Sequence, residues 1–162
     1  MSVFPDHRPL TVRADLTLST EQLEMLRTLD SYDLWFVEER LGRKGAIPSE
    51  RIAGATLEFK RYMSLVGLGY RGLGMLSPEV DSVWHEFILF TREYADFCQA
   101  AFGAFIHHVP RTSRSPLPEA SGEDFLSAYG EVFGEIPALW YGELAGTRNE
   151  PSGCGTEDCT DG

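Results

Sequence analysis

Residues able to ligate a metal or move a proton gather in the middle of the chain: Asp81 and His85, then Cys98, then the adjacent pair His107 and His108. Positions four apart share one face of a helix. Asp81 and His85 can therefore offer two ligands to one ion, or form a pair in which the carboxylate orients the imidazole. Joined by one of the later histidines, they make a two-His, one-carboxylate set of the kind that holds a metal and leaves positions open. The cofactor this set implies is a divalent transition metal, zinc or iron. Cys98 stands apart from it. Thirteen residues of unbroken helix would separate it from His85 by roughly 20 Å, so the two share a metal only if the helix breaks. A turn at Gly103 lets His107 or His108 reach Cys98 easily, whereas reaching His85 takes nearly full extension. The competing reading makes His85 a structural imidazole at the core edge, hydrogen-bonded to Asp81. Catalysis by a Cys98 thiolate is disfavoured, because a thiol on the apolar arc beside Tyr94 and Phe97 has its pKa raised.

Two further motifs are weaker. Cys154 and Cys159 have the spacing to chelate one soft metal. A structural zinc site wants four ligands, and Cys98 with His107 or His108 could supply the rest. The plainer expectation is two free thiols on a tail. Gly67-Leu68-Gly69-Tyr70-Arg71-Gly72 matches the letters of a dinucleotide fingerprint, which works only where a strand feeds the glycines and a helix follows them. Here a helical pattern precedes the glycines and no parallel-sheet pattern exists, so the run reads as a flexible connection.

The elements that must position these groups are helical. Ser19 or Thr20 caps a first helix carrying Leu23, Leu26, Leu29, Leu34, Trp35, Val37 and Leu41 and ending near Gly42. Pro48-Ser49-Glu50 opens a second, with Ile52, Ala55, Leu57, Phe59, Tyr62, Met63 and Leu65 on its apolar positions, which closes from Gly67. The third has Ser77 as cap, Pro78 at its first position and Glu79 and Asp81 in its first turn. It is expected to run to Phe102 with Gly103 as C-cap. Its broad aromatic arc, from Val80 through Trp84, Phe87, Tyr94 and Phe97, makes it the expected hub of the core, with Glu86 on the polar half. A Pro- and Ser-rich loop spans 109–122, helical pattern resumes from Phe125 to Phe133, and a last short turn takes in Ala138 to Tyr141. Leu10 to Leu18 alternate with period two and read as an extended arm along the helical body. The domain plan is thus an arm at 1–18, a helical domain at 19–145 and a flexible acidic tail at 146–162, in an all-α, single-domain fold.

The chain has 162 residues, 43% of them apolar, and 14 Lys and Arg against 25 Asp and Glu, for a net charge of -11. That balance repels phosphate backbones and anionic lipid, so neither nucleic acid nor a membrane surface is an expected partner. A basic protein or a small molecule is. No apolar run approaches the ~20 residues of a membrane span, no secretory leader is visible, and three cysteines fit a reducing compartment. A cytoplasmic protein is expected.

The run Asp81-Ser82-Val83-Trp84-His85-Glu86-Phe87-Ile88-Leu89, followed by Thr91, Tyr94, Phe97-Cys98, Phe102-Gly103 and His107-His108, resembles the glycine-rich domain-containing protein-like family of bacteria and plants. Tyr129, Phe133-Gly134, Pro137 and Leu139-Trp140 extend the likeness to its bacterial members. The resemblance implies a site at the Asp81, Trp84, His85 core and brings no reaction with it. Two functions then compete. One is a metal-binding helical protein centred on His85, with catalysis left open; the other is an acidic interaction module in which the same residues are structural.

Overall fold

The computed structural model describes residues 8–110, 122–141 and 154–155. It is all-α, with six helices: α1 (Thr20–Ser31), α2 (Trp35–Lys44), α3 (Ser49–Gly67), α4 (Pro78–Ile88), α5 (Thr91–Phe102) and α6 (Gly122–Phe133). Short 3-10 turns at Pro9–Thr11 and Ala138–Tyr141 flank them. One antiparallel pair joins β1 (Val109–Pro110) to β2 (Cys154–Gly155). No helix among the described residues is long and apolar enough to cross a membrane.

The first expected helix is two. Ser19 caps α1 with a full capping box, its hydroxyl accepting from Gln22 N–H while the Gln22 side chain accepts from Ser19 N–H. The chain then leaves the helix at Tyr32. The Asp33 carboxylate accepts from Trp35 N–H at 3.0 Å, which competes with helical bonding and restarts the chain as α2.

The third expected helix is also broken, and this break decides the geometry of the site. Phe90 sits at φ -85°, ψ 71°, and α5 turns back on α4. Ten residues of straight helix would part Trp84 from Tyr94 by about 15 Å, yet Trp84 Nε1 donates to the Tyr94 hydroxyl at 3.0 Å. The turn packs Phe87 against Tyr94 and Phe97, each with ring centroids 5.1 Å apart, and sets Phe90 against Phe36 at 4.8 Å. Aromatic burial of this extent outweighs the hydrogen bonds a continuous helix would have kept.

The central position is accordingly shared. The longest helix, α3, packs against α1, α2, α4 and α6, while α4 and α5 supply the aromatic heart. Gly67 marks the closest approach: a Cβ there would lie 2.8 Å from Phe102 and 2.9 Å from Met25 Sδ, so only glycine lets α3 end between α1 and α5. The glycine run after it is a loop pinned by Tyr62, whose hydroxyl donates to Leu73 O at 3.0 Å.

Two expected placements change. The arm expected at 10–18 is not extended throughout, since Pro9–Thr11 form a 3-10 turn. Leu10 and Val12 are buried all the same, because the 3-10 turn and bonds from Arg13 N–H to Val132 O and from Arg61 to Leu10 O seat the segment on α3 and α6. Glu86 does not lie on a polar face; it is buried, paired with Arg40 and Lys44 of α2. The loop at 111–121, most of the tail at 146–162, and Cys159 lie outside the described residues.

Candidate functional site

The beginning of α4 is built as the sequence predicts. The Ser77 hydroxyl accepts from Val80 N–H, Pro78 occupies the first turn, and Asp81 N–H donates to Ser77 O. Asp81 and His85 project from one face of this helix. The residue is 9% exposed at Asp81, and the side chain is 52% exposed at His85. Because α5 folds back, the segment after Gly103 runs alongside α4 and delivers His108, whose side chain is 5% exposed. The Asp81 carboxylate stands between the imidazoles: Oδ2 lies 3.3 Å from His85 Nδ1 and Oδ1 lies 3.3 Å from His108 Nε2. The two rings face each other with centroids 4.4 Å apart, and the Trp84 indole meets His108 edge-on at 4.5 Å. One ligating atom from each of Asp81, His85 and His108 lies within 4.8 Å of the others.

His107 and Cys98 are not drawn into this group. His107 is exposed and its ring rests against Phe105 at 4.8 Å. Cys98 is buried on α5 as a free thiol. Burial raises its pKa against the lowering effect of hydrogen bonds with the Ile106 backbone and Tyr94, which leaves it a protonated, inert thiol. Tyr94 in turn donates to Ile106 O at 2.5 Å. Trp84, Tyr94 and Cys98 thus form a buried latch on residue 106, two places before His108. The latch holds the imidazole against Asp81 as an outer partner holds a ligand. Short reach after Gly103 did not select Cys98 as the destination of the histidines; the turn at Phe90 brought His85 nearer instead.

Sequence reasoning also missed the buried carboxylate of Glu58. Glu58 on α3 accepts from the Tyr129 hydroxyl at 2.8 Å and Trp140 Nε1 at 2.7 Å on Oε2, and from Arg61 at 2.6 Å on Oε1. Burial, then the charge of Glu58, push the Tyr129 phenol far up, keeping it protonated. The available signal was positional, since Glu58 falls three residues after Ala55 and four before Tyr62, both core residues. Leu57, expected on the apolar face, is partly exposed instead.

A family model described as UCP032817-like matches residues 24–122, more than half of the chain. The chain belongs to that family. This corrects the expected resemblance to the glycine-rich domain-containing protein-like family, which nothing in the comparisons indicates. Among the residues that carried it, Trp84, Phe87, Tyr94 and Phe97 are buried aromatics that pack α4 against α5. Comparison with curated proteins and with solved structures gives no match.

Proposed function

We propose that in this member of the UCP032817-like family Asp81, His85 and His108 hold a divalent transition metal, zinc or iron, with at least one coordination position open. The observation that supports it is the convergence of three ligating atoms, from α4 and from the segment after α5, within 4.8 Å of one another. Ligands about 2.0–2.1 Å from a tetrahedral ion stand about 3.3 Å apart, which is the spacing from Asp81 to each imidazole. Two imidazoles and one carboxylate suit either metal. The half-exposed His85 leaves the site open to solvent on one side, where a bound ion would polarise a water or a small ligand. The buried His108 and Asp81 would anchor it, and Trp84 and Tyr94 would fix His108 in place.

Metal analysis of the full chain purified without a histidine tag tests this. About one ion per chain is expected in the parent. His85→Ala and His108→Ala should both lose it, the former with the helical content unchanged. Asp81→Asn should keep some affinity, since it preserves shape and removes charge. Protons compete with the metal for imidazole, so bound metal should leave as pH falls through the range where free imidazole is protonated, about 6–7. A parent that stays metal-free after growth in supplemented medium, with His85→Ala merely unfolding more readily, would overturn the proposal in favour of a structural Asp81–histidine pair.

A further inference from the structure

Apart from the Asp81 cluster, α2 and the α4–α5 turn enclose an open groove of about 420 Å³ lined by Trp35, Phe36, Phe90, Arg40, Arg43 and Lys44, with Glu39 among them. Its floor is aromatic. Trp35 is 60% exposed, whereas Trp84 and Trp140 are buried. Trp35 meets Phe36 edge-to-face at 6.0 Å, and Phe36 meets Phe90 likewise at 4.8 Å. Its wall is cationic. Arg40 and Lys44 grip Glu86 from outside: the carboxylate side chain is 6% exposed and the two cationic side chains about half exposed, at 49% and 46%. Above Glu86 the solvent therefore meets positive charge with the carboxylate lying beneath, and the one carboxylate at the groove surface is Glu39, 45% exposed and held by Arg43. Arg43 extends this surface at 78% exposure, its ion pair being with Glu39 one turn back. A chain of net charge -11 thus concentrates three cations within five residues, beside its most exposed tryptophan.

We propose that this groove binds a nucleoside monophosphate, the base stacking on Trp35 and the phosphate meeting Arg43, Arg40 and Lys44. A base stacks favourably on an exposed indole face whatever its identity, and guanidinium groups match phosphate oxygens in pairs. The volume suits a small ligand, for which sites run from about 300 to 1,000 Å³. A stable peptide interface would bury more than about 1,000 Å². The overall acidity of the chain disfavours a polynucleotide while permitting one phosphate at a local cationic patch. This site is independent of the metal proposal.

Trp35 reports on its own occupancy, because the other two tryptophans are buried. Titrating the full chain with AMP should change tryptophan fluorescence saturably. Adenosine and inorganic phosphate should each bind about tenfold more weakly or worse, as each loses one of the two contacts. Arg43→Ser should weaken AMP binding about tenfold with no change in melting temperature, since the Glu86 pairs remain. Trp35→Phe should abolish the fluorescence response, and ligand-observed NMR then follows binding directly. His108→Ala should bind AMP as the parent does. Absence of saturation at millimolar AMP, equal affinity for adenosine and AMP, or an unaltered Arg43→Ser would overturn the site. Displacement of AMP by micromolar acidic, tyrosine-containing peptide would overturn the ligand class.

Discussion

Glu58 and Asp81 are both buried carboxylates, and they are wired differently. Glu58 is met by a guanidinium, an indole N–H and a phenol. The first two only donate, and the phenol is held protonated by burial beside Glu58. Its bonds, at 2.6 to 2.8 Å, tie α3 to α6 and to the turn at Ala138–Tyr141. Asp81 is met by two imidazoles at 3.3 Å, groups that donate or ligate according to their protonation. The first arrangement has a single chemical state and works as a strut. The second, with Asp81 3.3 Å from each ring, is the arrangement on which the proposed metal would depend.

The sharpest way to break the comparison is Glu58→Leu. It leaves Arg61, Tyr129 and Trp140 without their shared acceptor, and removing one partner of a buried charged network costs about 3–5 kcal/mol. Urea unfolding should show that loss, while the metal content of the remaining folded protein stays as in the parent. If instead Asp81→Leu proves as damaging as Glu58→Leu in metal-free protein, the two carboxylates are both struts and the contrast fails.

Tyr94→Phe tests the latch between the aromatic heart and the site. Losing a buried hydroxyl that donates to Ile106 O and accepts from Trp84 should cost about 1–2 kcal/mol. Metal affinity should fall about 10–100-fold, as for other groups that orient a ligand. A metal-competition titration separates the two effects: unchanged affinity with lowered stability would confine Tyr94 to the core.

The smallest effect is expected at Glu86, intermediate in kind because its partners are exposed cations. Burial raises its pKa, but bonds and charge from Lys44 and Arg40 outweigh this and leave it below the ordinary 4.5. A carboxyl lowered on folding contributes stability that is complete above its ordinary value and lost as pH falls through the lowered one. The parent should therefore exceed Glu86→Gln in stability at neutral pH, and the gap should narrow below about pH 4 and in high salt. A gap constant from neutral to strongly acidic pH would show that the pair contributes through shape alone.

How much of this was readable before folding depends on range. Ser77, Pro78 and Glu79 announce α4 because capping is local, and Asp81 with His85 follows from the helical repeat alone. The break at Phe90 leaves no such mark: Val83, Phe87, Tyr94 and Phe97 keep one apolar face whether the helix continues or folds back, and Phe36, which packs on Phe90 at the turn, is more than fifty residues away. The selection of His108 over His107 depends on that same turn. Glu86 reads as a solvated charge because its partners on α2 are remote in sequence, and Glu58 is not singled out because Tyr129 and Trp140 lie 71 and 82 residues away. Cys98, singled out as a ligand candidate, stands apart from the Asp81, His85 and His108 group and bonds the Ile106 backbone.

The turn at Leu89–Phe90 also governs when the cluster exists. Asp81 and His108 are 27 residues apart in the chain, and closing a loop of that length costs on the order of 3 kcal/mol in chain entropy beyond the constant for initiating it. Local helix formation cannot meet that cost, so the Asp81 group assembles only as α5 docks and comes apart whenever α5 lifts. Amide exchange at Ile106 and His108 should then follow the opening of α5 as one cooperative unit, and an ion clipped across the two ends would slow that opening by holding the hairpin shut.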